Sequence, residues 1–407
     1  MTPTERPAVS AFLRGRQDDI TALLAAVVKI PSDNPAGDCA PHADATAALL
    51  EGLGFTVERH VVPAATVRAH GMVSVTNLVV RRRFGDGPVI ALNAHGDVVP
   101  PGEGWTADPY GAEIRDGWLY GRGAAVSKSD IATYAFAMLA LEHAGALNGT
   151  VELHVTYDEE TGGEVGPPWL IAEGISKPDL ALCAGFSYGV TEAHNGCLHL
   201  EVEVTGRSAH AAKPFTGIDA LEGANAILSA LYAWRGNLAR RESKIPGIGA
   251  PQLTVGLISG GINTNVVPDR VTFRMDRRIV PEENAALVEQ ELRDLIAIAA
   301  APHAATVTVR RLLLATPLMP LPGGKAFTDL LCAHASRIMG TPVMAGGVPL
   351  YTDARHYAAA GIPVILYGAG PRSIEEANAH RADERVPLAD LHRATEVVAL
   401  TLADMLT

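Results

Sequence analysis

At about residue 196 the hydrophobic pattern of the chain changes, and that change constrains its fold more than any other feature. Upstream, short continuous apolar runs at 89–93 and 151–157 read as strands buried on both faces, with an alanine-rich helix at 130–143 between them. Further helices are expected at 21–29 and 44–53, the second stopped by Gly54. This alternation predicts an α/β fold, a mixed and mostly parallel sheet with helices on both faces. From 198 to 205 the residues Leu-His-Leu-Glu-Val-Glu-Val-Thr alternate strictly, as in a strand with one face open. A helix at 217–235, strands at 252–259 and 270–279, a helix at 282–300 and a strand at 305–314 follow. Strand-helix-strand-strand-helix-strand is the order of a ferredoxin-like α+β domain. The expected organisation is a first domain over 1–195, an inserted domain over 196–314, and a return to the first domain over 315–407, where a strand at 363–366 and a helix at 387–405 complete it.

At 407 residues the chain exceeds what one core usually holds, which agrees with two domains. A net charge of -12 argues against nucleic acid or an anionic membrane as partner and does not itself suggest a substrate. The N-terminal residues lack the pattern of a signal peptide, and no apolar run approaches about 20 residues, so a cytoplasmic protein is expected. The four cysteines are scattered. Cys183 and Cys197 lie in apolar, strand-like surroundings and are expected to be reduced core residues.

Three segments place metal-type side chains just after predicted strands, where sites collect in open α/β sheets. His95 and Asp97 follow the strand at 89–93, Asp158, Glu159 and Glu160 follow 151–157, and His380 follows 363–366. A divalent cation takes imidazoles and carboxylates, and a ligating imidazole needs an orienting partner; Asp97, two residues from His95, suits that task. Charges at the ends of strands are the alternative reading.

The tract Asn93-Ala-His95-Gly-Asp97, followed by Gly121-Arg122-Gly123-Ala124, resembles metallopeptidase family M20, which includes carboxypeptidase G, acetylornithine deacetylase and succinyl-diaminopimelate desuccinylase. The resemblance spans about residues 15–405 and implies a zinc-peptidase-like catalytic domain, an inserted domain that dimerises, and a hydrolase of C–N bonds. It implies that His95, Glu160 and His380 are metal ligands, that Asp97 orients His95, and that Glu159 is the general base. His210, in Ser208-Ala-His210, resembles the histidine that reaches across the dimer to an oxyanion; fixing its own loop is the alternative. Asn265 matches a substrate-contacting asparagine. Arg278 is placed to bind a substrate carboxylate or to form an inter-strand ion pair. Asp353, in Thr352-Asp353-Ala354-Arg355, matches a stretch near the family's active site. Tyr188, with Phe186, would line the same cavity and suit a planar substrate, or simply pack in the core.

The sequence departs from the family at two ligands. Val126 stands where the family has an aspartate bridging two metals, and no Asp or Glu occurs between Asp179 and Glu192, where another ligand is expected. The expectation is one divalent transition metal (Zn, Mn or Co) in a homodimer or larger assembly, with a non-catalytic binder on the same scaffold as the alternative. Asp130 is the candidate substitute for the missing bridge. Ser127-Lys-Ser-Asp130 also fits a helix start in which Ser127 caps and Asp130 occupies the third position.

Overall fold

The structure, a computed structural model, describes residues 3–407. The chain divides into two compact units: one comprises the chain up to Glu192, Pro320–Gly346 and Thr352–Thr407, the other Ala193–Met319 and Gly347–Tyr351.

The first unit is built around an eight-stranded sheet in the order Val57–Val61, Thr76–Arg83, Thr150–Thr156, Val89–His95, Leu180–Cys183, Val364–Leu366, Val190–His194, Ala345–Val348. The four central strands, Thr150–Thr156 through Val364–Leu366, run parallel. Antiparallel strands flank them, Thr76–Arg83 on one side and Val190–His194 on the other. Alternation assigns the two faces. Ile90, Leu92 and Ala94 join the main core with helices Lys128–Ala140 and Leu388–Met405. Every residue of Lys128–Ala140 is buried, so its hydrophobic character all round follows from its place in the middle of the core. On the opposite face, His154 Nδ1 lies 2.8 Å from the hydroxyl of Tyr357 on helix Ala354–Ala359, which puts a helix on that side too. Beside it, His154 Nε2 and Arg81 Nε reach the two oxygens of Glu152 at 3.0 and 2.7 Å. Burial alone would raise this carboxyl, but the hydrogen bonds from His154, Ser176 and Arg81 win and hold it down at about 2.

Secondary structure follows the sequence closely where periodicity is strong. The helix ending at Gly52 is stopped by Gly54 at φ 87°, a left-handed position natural to glycine. The cap expected at the start of Lys128–Ala140 does not form. Ser127 Oγ instead donates to the carbonyl of His95 at 3.1 Å and accepts from its amide at 2.9 Å, and Asp130 Oδ1 accepts from Ala369 N at 2.7 Å. The turn before the helix folds back onto the end of a neighbouring strand, and these tertiary bonds displace the local ones.

The second unit holds a four-stranded antiparallel sheet in the order Gln252–Gly260, Arg270–Ile279, Gly196–Thr205, Thr306–Ala315, the ferredoxin-like order. Leu198, Leu200, Val202 and Val204 pack with the helices Ala220–Arg235 and Ala285–Ala300. Both helices start at side-chain caps: Asp219 accepts from Leu221 N and Glu222 N, and Asn284 from Ala286 N and Leu287 N. Such caps stabilise by about 1 kcal/mol each.

Candidate active site

The candidate site lies at the carboxyl ends of two adjacent parallel strands, Val89–His95 and Thr150–Thr156. His95 is the last residue of its strand and is buried. Its Nδ1 lies 2.9 Å from the carbonyl of Asp97 and 3.4 Å from Oδ1 of the same residue, which turns Nε2 toward Glu159, 3.9 Å from Oε2. Asp97 is fully buried. Its Oδ2 accepts from Asn34 Nδ2 at 2.9 Å and from Glu160 N at 3.3 Å, so one carboxylate ties together the segments carrying His95 and Glu160.

The second segment turns sharply at Asp158. Its φ of 143° is costly for a residue with a side chain. That conformation is held by Val165 N on Oδ2 at 2.5 Å, and by Thr161 N and Gly163 N on the Asp158 carbonyl at 3.0 and 2.8 Å. The 3₁₀ turn Glu159–Thr161 then presents two carboxylates beside His95. Donor atoms of His95, Glu159 and Glu160 all lie within 4.8 Å of one another. His380, from a third segment, has Nε2 3.4 Å from Glu160 Oε1 but is not among the donors that lie within 4.8 Å of one another. It is half-exposed and holds a left-handed backbone, φ 61°.

Electrostatics couple these groups. Burial disfavours the charged imidazole of His95, but Glu159, Asp97 and Glu160 outweigh it and lift His95 well above the ordinary histidine range. Burial pushes Glu159 well above the carboxylate range; Glu160, Asp353 and Asp97 add to this, and His95 opposes it. His380 is raised by its hydrogen bond with Glu160. Such raised proton affinities in a small cluster mark groups whose charge an added cation would rebalance.

Other candidates take separate places. Asp353 is buried close enough to raise the proton affinity of Glu159, and its own carboxyl is raised by burial. The adjacent Arg355 bonds the Gly162 carbonyl in the loop that follows Glu160. Asp130 is tied to Ala369 N, outside the His95 cluster, and burial pushes it up to about 7. The side chain of Val126 offers no metal-binding atom. Tyr188 donates its hydroxyl to Asp390 Oδ1 at 2.9 Å, and its ring lies under Arg372 at 3.7 Å. In the second unit, His210 is exposed, with Nδ1 accepting from Ala212 N at 3.1 Å; Ala211 N bonds the carbonyl of exposed Asn265 at 3.0 Å, which joins the two loops. Arg278 pairs with Asp276 of its own strand at 3.0 Å, not across strands.

Sequence reasoning passed over one pair. Arg122 and Glu384, both buried, meet at 2.6 Å, and Glu384 Oε1 also accepts from Ala125 N at 3.1 Å and Val126 N at 3.3 Å. The pair joins the turn carrying Val126 to the segment carrying His380. A carboxylate four residues after His380 was the available signal.

The comparisons with known proteins bear on this geometry. The sequence model of Peptidase family M20/M25/M40 matches residues 91–404. The chain belongs to that family. It is 33% identical over 395 residues to a succinyl-diaminopimelate desuccinylase of Rhizorhabdus wittichii, covering 93% of this chain and 95% of the relative. It is 30% identical to an acetylornithine deacetylase of Proteus mirabilis, covering 86% of each. Among solved structures, the M20 metallo-carboxypeptidase Sso-CP2 from Sulfolobus solfataricus shares the fold with a TM-score of 0.77 at 18% identity, covering 95% of this chain and 99% of that one. The YXEP protein of Bacillus subtilis, a dinuclear metal-binding M20 peptidase, gives 0.68 at 16% identity, covering 97% and 99%. As an M20 member the chain is a metal-dependent hydrolase acting on C–N bonds. Among the described residues, no helix is long and apolar enough to cross a membrane.

Proposed function

We propose that this M20 enzyme hydrolyses a C–N bond of a small molecule with one divalent transition metal, Zn, Mn or Co, held by His95, Glu160 and His380, and with Glu159 as general base. The observation that carries this reading is the pairing of donors. His95 Nε2 faces Glu159, and Glu160 Oε1 faces His380 Nε2, while the side chain of Val126 has no atom that can bind a metal. Two imidazoles and a carboxylate suit a divalent transition metal. A second metal has little to bind it, because Val126 supplies no carboxylate at the bridging position and Asp130 lies outside the His95 cluster, with Oδ1 held by Ala369 N.

When bound, the cation supplies Lewis acidity that makes water a nucleophile near neutral pH. Asp97 holds His95 in place through Nδ1. Glu159, with its raised proton affinity, accepts a proton from the attacking water and returns it to the leaving nitrogen. His210 of a second copy of the chain takes the oxyanion-stabilising role, and Asn265, Arg278, Asp353 and Tyr188 are proposed to contact substrate. A homodimer through the inserted unit is supported by Leu257 and Ile258, which stand 61% and 56% exposed on the outer strand of its sheet. The free thiols at Cys39, Cys183, Cys197 and Cys332 suit the reducing cytoplasm.

The names of the relatives point to N-acyl amino acids as the first substrates to try; an amino-substituted aromatic acid losing its amine is the narrower variant. Metal-loaded protein is expected to release the acyl acid and the free amine, and to stop when the metal is chelated. Hydrolysis that survives chelation contradicts the proposal. Binding of substrates of both classes without turnover, with Mn, Co or Zn present, makes the chain a small-molecule binder instead.

A further inference from the structure

A second cluster of metal-type side chains lies in the inserted unit. Cys197 and His199 are two residues apart on strand Gly196–Thr205, so they share a face, and Leu198 and Leu200 occupy the other face with the two helices. On the adjacent strand Asp276 stands directly opposite His199, and Arg278 opposite Cys197. The pleat therefore brings three different donor atoms to one point on the face turned away from the helices. Cys197 Sγ is 3.2 Å from His199 Nε2 and 3.5 Å from Asp276 Oδ2, and the latter two are 2.9 Å apart.

We propose that Cys197 Sγ, His199 Nε2 and Asp276 Oδ2 form a site for a zinc-type divalent cation, distinct in its ligands from the His95 cluster. A tetrahedral zinc ion spaces sulfur from nitrogen or oxygen ligands by about 3.5 Å, and nitrogen from oxygen by about 3.3 Å, given its usual bond lengths. The three observed separations lie within about half an ångström of those values, so the cation needs side-chain adjustment but no change of backbone register. Arg278 Nε binds Asp276 Oδ1 at 3.0 Å, which fixes the carboxylate and leaves Oδ2 facing the other two donors. His199 and Asp276 are 38% and 29% exposed, so solvent can reach the site and supply a fourth ligand. The thiolate selects a borderline-soft ion, Zn or Co, over Mn or Mg. Binding replaces the thiol proton of Cys197, which leaves to solvent.

The test is cobalt(II) titration of the reduced, metal-free full-length protein, followed in the near ultraviolet, where a sulfur-to-cobalt charge-transfer band reports thiolate ligation. The proposed active site contains no sulfur ligand, so its cobalt contributes no such band. The expected result is a saturable band that disappears in Cys197→Ser, weakens at least tenfold in cobalt affinity in His199→Ala, and persists in His95→Ala. Absence of the band from the wild-type protein at saturating cobalt overturns the proposal, as does a band that survives Cys197→Ser or an affinity unchanged in His199→Ala. The readout requires no turnover, so an inactive protein leaves the result intact.

Discussion

Replacing Glu159 with Gln is expected to lower turnover by about 10²–10⁴-fold while leaving active-site metal affinity within a few-fold of wild type. Gln keeps the shape of the side chain and can still accept a hydrogen bond, but it cannot take a proton. The wild-type carboxyl is suited to that task because burial and the neighbouring Glu160, Asp353 and Asp97 raise its proton affinity against the opposing pull of His95. The measurements are steady-state hydrolysis and metal titration of the same preparation. Glu159 Oε2 sits only 3.9 Å from His95 Nε2, so direct ligation is the competing role. Loss of metal in parallel with activity would assign that role, and retained turnover would remove Glu159 from the mechanism.

The second large effect is structural. Glu384→Ala is expected to destabilise the protein by about 3–5 kcal/mol, because it strands a buried guanidinium. Arg122 is almost inaccessible to solvent, and besides Glu384 it meets the Pro101 carbonyl at 2.9 Å and the face of Trp105 at 5.2 Å, neither of which carries a charge. The substitution also releases the amides of Ala125 and Val126 from Glu384 Oε1. A double variant, Arg122→Met with Glu384→Leu, is expected to recover most of the loss, since a buried pair is costly mainly when half of it remains. Denaturant unfolding followed by tryptophan fluorescence checks both. A Glu384→Ala protein within about 1 kcal/mol of wild type would show that the pair is hydrated in solution.

What could be read from the sequence depended on how local the determining forces are. The central strands, the buried helix and the strands and helices between Gly196 and Ala315 carry strong periodicity, and each of these elements lies within a few residues of its expected place. Short flanking strands such as Val57–Val61 and Glu113–Arg115 were not anticipated, because three to five residues of mixed polarity give no usable period. The expected residues at 95–97 and 158–160 fall at the ends of two adjacent strands, whereas His380 follows the short helix Ile374–Ala377 and not a strand. The helix-start cap read at Ser127 and Asp130 does not form because their partners, His95 and Ala369, are distant in sequence. The pair Arg122–Glu384 is 262 positions apart, so nothing local joins its two halves. Cys197 shows the same limit. Its spacing from His199 places both on one face, but only the register with Arg270–Ile279 brings Asp276 to them.

The central claim is that the active site holds one metal ion, on His95, Glu160 and His380. Its most direct test is electron paramagnetic resonance, with elemental analysis, on Mn(II)-loaded Cys197→Ser protein, a background that removes the sulfur site from the count. The account predicts one manganese per chain with the spectrum of an isolated ion, and loss of that ion in His95→Ala. Two manganese ions per chain with an exchange-coupled spectrum would contradict it and show that another side chain has taken the place of the missing bridge at Val126.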